Sequence, residues 1–202
     1  MLDSHAHIGD STYPNGLVCT SSPITYPSGY RFNSIGLIPE GGSDDVKKLE
    51  EYASKGFLIG EIGLDKRYPD LDKQLRLFKT ALTYARKYNR FISIHQVGYP
   101  ELILNTLKEY KIDNFLIHGY TGSYEMAKRY ISIGGLISLS PRAERTKDFL
   151  RLITLDFVTE TDMPMSKDED ITLKTWNTKL SLILNKDIET ISEELLLERI
   201  DV

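Results

Sequence analysis

The stretch that decides the fold lies between Phe57 and His95. It opens with Phe57-Leu58-Ile59-Gly60-Glu61 and closes with Phe91-Ile92-Ser93-Ile94-His95. Between them a charged segment from about Pro69 to Tyr88 carries Leu75, Phe78, Leu82 and Ala85 on one face. A short apolar run, an apolar stripe at helical spacing and a second short apolar run are the pattern of a βαβ unit. Parallel strands need a crossover of about a dozen residues or more, and this segment supplies one.

The same alternation continues in both directions. Toward the C-terminus the apolar runs are Phe115-Leu116-Ile117, Leu136-Ile137-Ser138-Leu139 and Leu155-Asp156-Phe157-Val158. Helical patterns fall at about Pro100 to Tyr110, Ser123 to Ile133 and Ala143 to Ile153. Upstream, Asp44 to Lys55 reads as a helix with Ser43 as its N-cap. Leu2 to Ile8, Leu17-Val18-Cys19 and Asn33 to Ile38 read as three further strands. Eight parallel strands with helical crossovers suggest a closed α/β barrel, although about 200 residues is the floor for that fold; an open α/β sheet is the alternative. The segments Gly9 to Gly16 and Ser21 to Arg31 are rich in Gly, Pro, Ser and Tyr and too short for full helical crossovers, so the barrel is expected to lack its first helices. Strands left uncovered there would expose apolar surface. The tail from Thr172 to Val202 reads as two helices joined near Asn185-Lys186-Asp187. The 202 residues are expected to form one domain, 1–202.

Composition narrows the class. The chain is 41% hydrophobic and 27% charged, which suits a globular protein. A net charge of −4 argues against a wholly basic surface, so any nucleic-acid contact must be local. The single cysteine, Cys19, excludes an internal disulfide framework. No window approaches a membrane span, and Met1 to His7 has neither the basic nor the long apolar region of a signal peptide. The expected location is cytoplasmic, with no obligate protein partner evident.

The four histidines, His5, His7, His95 and His118, all sit at or near the end of an apolar run. His5 and His7 are two apart on a strand and share one face. Glu61 and Asp162 follow apolar runs in the same way. In a parallel barrel the C-terminal strand ends form one rim, and catalytic groups come from several of them. Uncompensated charge beside buried runs is costly. Four imidazoles and two carboxylates converging there are a ligand set for a divalent cation, with Zn, Mn, Fe or Mg all compatible.

These residues also carry a family resemblance. Asp3-Ser4-His5-Ala6-His7, Gly60-Glu61-Ile62-Gly63-Leu64-Asp65, Ile94-His95, His118-Gly119-Tyr120-Thr121-Gly122-Ser123 and Glu160-Thr161-Asp162-Met163-Pro164 follow in order over residues 1 to about 164. Together they resemble the TatD-like metal-dependent hydrolases, often described as deoxyribonucleases. The resemblance implies a TIM-barrel-like (β/α)8 fold, here shortened in its N-terminal third. It also implies one or two divalent metal ions (Mg, Mn or Zn). On that pattern His5, His7, Glu61 and Asp162 hold one metal, and Glu61, His95 and His118 hold the second with Glu61 bridging. The sequence departs from the family pattern at Gly36-Leu37-Ile38-Pro39, which lacks a histidine, at Gln96-Val97, which lacks an arginine, and after Pro164.

Such a centre suits hydrolysis of DNA phosphodiester bonds, with Asp162 as general base and Glu61 as the second catalytic carboxylate. Lys66, Arg67, Arg142 and Arg145 are candidate phosphate partners. Tyr68, Tyr99 and Tyr120 are candidate stacking platforms for bases. Thr121 and Ser123 are possible phosphate donors, Ser123 equally a helix N-cap. Two other readings stand beside this one: a metal-dependent hydrolase of a small amide, lactone or phosphoester, and a non-catalytic relic that binds a partner.

Overall fold

The computed structural model describes residues 1–38 and 44–200. Eight strands form one parallel sheet in sequential order. They are β1 (Asp3–His7), β2 (Gly16–Cys19), β3 (Phe32–Leu37), β4 (Leu58–Asp65), β5 (Ile92–Val97), β6 (Phe115–Ile117), β7 (Gly135–Leu139) and β8 (Val158–Thr159). The seam between β8 and β1 is drawn together by the chain beyond β8. His7 N–H donates to Met163 O at 2.9 Å, Met165 N–H to His7 O at 3.0 Å and Asp162 N–H to His5 O at 3.1 Å. The sheet is thereby a nearly closed barrel rather than an open one.

Among the described residues seven α-helices accompany it: α1 (Val46–Ser54), α2 (Leu71–Tyr88), α3 (Pro100–Tyr110), α4 (Tyr124–Ile131), α5 (Phe149–Leu152), α6 (Lys167–Leu184) and α7 (Ile188–Ile200). The helix α2 shows how the pattern becomes structure. Asp70 caps its start by accepting from Lys73 N–H, and Asn89 ends it in the left-handed conformation. Its buried face is Gln74, Leu77, Phe78, Ala81, Leu82 and Ala85, packed into the main core with Ile59, Ile62, Ile92 and Ile94. The N-cap of α1 is Asp45, which accepts from Lys48 N–H; the expected cap, Ser43, and Pro39 lie outside the described residues.

Several boundaries differ from the sequence pattern. The helix expected over Ala143 to Ile153 splits into a 3-10 turn, Pro141–Arg145, and the four-residue α5. Asp148 marks the break, its carboxylate accepting from Tyr124 N–H at the start of α4. The last strand shifts to Val158–Thr159, and the first tail helix starts at Lys167, capped by Ser166. Glu61 lies inside β4 rather than after it.

The N-terminal crossovers lack helices, as expected, yet the strands beneath them are covered. Ala6 and Val18 are fully buried in a cluster with Tyr30 and Met165, against which Ile8 and Tyr13 pack. Tyr30 fixes this cover: its hydroxyl donates to Gly9 O at 2.7 Å and accepts from Gly9 N–H at 2.9 Å. The expected exposed apolar face is therefore absent among the described residues. At the opposite end of the strands from the histidines, α7 plugs the barrel. Leu196 joins Leu2, Leu17, Leu58, Phe91, Leu116, Leu136 and Val158 in one cluster.

Candidate metal centre

The rim is built from strand ends. His5 and His7 come from β1, Glu61 from β4 and His95 from β5. His118 follows β6, and Asp162 lies three residues beyond β8 with φ of 60°. The strand β4 is irregular where it carries Glu61, and its register shifts against both neighbours. Gly60 permits this: its φ is 151°, and a Cβ there would meet Ser93 O at 2.9 Å.

All six side chains expected at the site converge. Glu61 Oε1 lies 2.5 Å from His95 Nδ1 and 2.9 Å from His118 Nε2. His5 Nε2 lies 3.9 Å from Glu61 Oε2 and 4.0 Å from Asp162 Oδ1. His7 Nε2 is 3.1 Å from Asp162 Oδ1. Three groups, His5/His7/Glu61, His5/His118/Asp162 and Glu61/His95/His118, each bring one ligand atom per residue within 4.8 Å of the others.

The electrostatics of the cluster favour positive charge at its centre. Burial opposes ionisation of Glu61, but His118 and hydrogen bonds from His118 and His95 hold it well below the usual carboxylate range. Asp162, also opposed by burial, is held at about 2 by His7, with His5 and His118 adding to the effect. His118 resists burial and is raised well above the usual range by Glu61 and Glu160. Burial, reinforced by His118, pushes His5 down, so its imidazole is neutral. Its Nδ1 is 2.8 Å from Ser93 Oγ, while Nε2 is buried without a hydrogen-bond partner and faces Glu61 and Asp162. An orphaned ring nitrogen between two ionised carboxylates is what a divalent cation would satisfy, and the donor set suits one.

Around the cluster is a cavity of about 550 Å³, lined among others by His7, Arg67, Gln96, Thr121 and Arg142. Arg142 Nη1 is 3.0 Å from Asp162 Oδ2. Arg67 lines the wall but is engaged with Asp65 through Nε and Nη2. Burial corrects one expected substrate contact. Tyr120 is 2% exposed, and its hydroxyl donates to Ser123 O at 2.7 Å, so its ring is core packing rather than a stacking platform. Lys66 is exposed outside the cavity lining, its stem beside Gly98. Ser123 is an N-cap, accepting from Met126 N–H.

Four supporting residues carried no role in the sequence reading. Asp65 accepts from His95 Nε2–H at 2.9 Å. Ser93 holds His5. Glu160 faces His118 Nδ1 at 3.9 Å and accepts from the Ser138 hydroxyl. Asp3 accepts from Thr161 N–H and, at 2.6 Å, from Thr161 Oγ1–H, fixing the turn that carries Asp162. Three of the four stand within the quoted motifs, which was the available signal.

A parallel barrel with histidines and carboxylates gathered at the C-terminal rim defines the class: a (β/α)8 barrel with a candidate metal centre where this fold places its sites. A family model described as TatD related DNase matches residues 25–198, and the chain belongs to that family. It is 32% identical over 119 residues to an "Uncharacterized metal-dependent hydrolase" of Haemophilus influenzae, covering 52% of this chain and 45% of the relative. It is 30% identical over 145 residues to an "Uncharacterized metal-dependent hydrolase" of Methanocaldococcus jannaschii, covering 67% and 57%. A Danio rerio protein named "Putative deoxyribonuclease tatdn3" is 25% identical over 198 residues, 86% of this chain and 74% of its own. The chain thus spans about half the length of the first curated relatives it matches. The crystal structure of the TatD homologue YjjV from Escherichia coli superposes with a TM-score of 0.84 over 100% of this chain and 98% of its own, at 19% identity, and shares the fold.

Proposed function

We propose that this chain is a metal-dependent phosphodiesterase acting on DNA, with single strands or ends as the favoured substrate. The observation that carries the reading is the buried, unpartnered His5 Nε2 among ionised Glu61 and Asp162, with Arg142 at the cavity wall. His5, His7, Glu61 and Asp162 would hold one divalent ion, and Glu61, His95 and His118 a second. Bound there, such ions lower the pKa of water and neutralise charge on phosphate oxygens. The protein's own contribution is positioning and proton transfer. Asp162 remains ionised at neutral pH and takes the proton of the attacking water on a carboxylate oxygen. Arg142 keeps Asp162 oriented and presents its remaining donors to a phosphate.

The second reading, hydrolysis of a small ester or amide, draws support from the thin rim: Tyr120 is buried and Lys66 lies outside the cavity. Salt separates the two. If two phosphates of a single strand are neutralised, raising salt from about 50 to 200 mM weakens binding about 7-fold. Degradation of a labelled oligonucleotide at subsaturating concentration, with Mn²⁺ and with chelator, is the experiment. Chelator-sensitive cleavage that falls with salt supports the nuclease. An intact oligonucleotide beside salt-indifferent cleavage of a small ester replaces it with the second reading.

A further inference from the structure

The histidines of the cluster do not face it the same way. His5 turns Nε2 inward because Ser93 holds its Nδ1. His95 turns Nδ1 inward: that atom lies 2.5 Å from Glu61 Oε1 and 3.3 Å from His118 Nε2, while its Nε2 points to Asp65 Oδ2 at 2.9 Å. Both neighbouring carboxylates only accept, but a cation held by Glu61 would need the lone pair of Nδ1, which leaves the ring proton on Nε2, where Asp65 accepts it.

Asp65 is built to stay there. It is 1% exposed at the end of β4. Its Oδ1 accepts from Arg67 N–H at 2.8 Å, and both oxygens accept from Arg67 Nε–H. Its backbone is bracketed by the buried amide of Gln74 on α2. Asp65 N–H donates to Gln74 Oε1 at 2.8 Å, and Gln74 Nε2–H donates to the carbonyls of Asp65 at 3.2 Å and Tyr68 at 3.0 Å. Neither the carboxylate nor the amide touches the cluster's centre, yet together they lock the turn that ends in the contact to His95.

We propose that Asp65, braced by Arg67 and Gln74, is a positioning residue that fixes His95 as the Nε2–H tautomer and so makes Nδ1 its metal-binding atom. Arg67, expected from the sequence to bind substrate, then serves the centre through Asp65. The inference rests on the metal-centre reading above. A clamp that only shaped the turn would change stability alone, whereas a positioning residue changes the ring and the metal.

The test uses zinc as probe on the full chain. Calorimetric titration gives the affinity, and ¹⁵N-resolved histidine spectra of the zinc-loaded protein give the bound nitrogen of each ring. In the wild type His95 is expected to bind zinc through Nδ1 with a proton on Nε2. Asp65→Asn is expected to weaken the affinity of the site containing His95 by about 10–100-fold. Unchanged affinity in a folded Asp65→Asn overturns the proposal. Should that variant fail to fold, the wild-type spectrum decides, and coordination of His95 through Nε2 overturns it. Absence of zinc binding by the wild type removes the metal centre itself and this inference with it, which distinguishes the two failures.

Discussion

Asp162 gathers constraints from three directions. Its φ of 60° is unusual for a residue with a side chain. Its N–H is tied to His5 O, the preceding Thr161 is held by Asp3, and its two carboxylate oxygens face His7 and Arg142. Strain of that kind persists only where the surroundings fix it. If the carboxylate accepts the water's proton, Asp162→Asn should lower kcat by about 10²–10⁴-fold, the usual range for removing a general base. Equal metal content and full turnover in that variant would remove Asp162 from the base role. The six converging residues were legible because each follows an apolar run and the rim of a parallel barrel gathers such positions. The roles of Asp65, Ser93 and Glu160 were not, because they depend on which ring nitrogen faces inward, and no spacing rule encodes that. Tyr120 misled for a related reason: a tyrosine after a strand can turn outward to a ligand or inward to the core. Here Ser123 O receives its hydroxyl within the core.

At the level of elements, βαβ units were readable wherever an apolar run and an amphipathic helix alternate, as from β4 to β7. Legibility fell where an element is short or replaced. The strand β8 has two residues paired with β7, and its link to β1 comes from bonds beyond its end. The covers over β1 and β2 are loops that bury Tyr30 and Met165, with no helical period to reveal them. The helix α7 was expected, but its function as a plug was not. It is anchored by Ser192 Oγ, which accepts from Thr159 N–H at 2.8 Å, and by Leu196, fully buried at the barrel floor. Leu196→Ala should therefore cost about 2–5 kcal/mol of stability. Denaturant unfolding measures this; a loss below about 1 kcal/mol would mean that the floor does not depend on α7 packing.

Across the whole molecule the two ends of the barrel divide the work. The floor is apolar and closed by α7, and the rim is polar and opens on the cavity. No helix among the described residues is long and apolar enough to cross a membrane. The long sheet order from β1 to β8 brings His5, near one terminus of the chain, against Asp162, more than 150 residues later, and the seam bonds hold them there. The direct measurement is anomalous diffraction at the zinc edge from zinc-soaked crystals. The expected result is a peak between His5 Nε2, His7, Glu61 and Asp162, and a second shared by Glu61, His95 and His118, at about 2.0–2.2 Å from the ligand atoms. A rim cavity without anomalous density at saturating zinc would contradict the account.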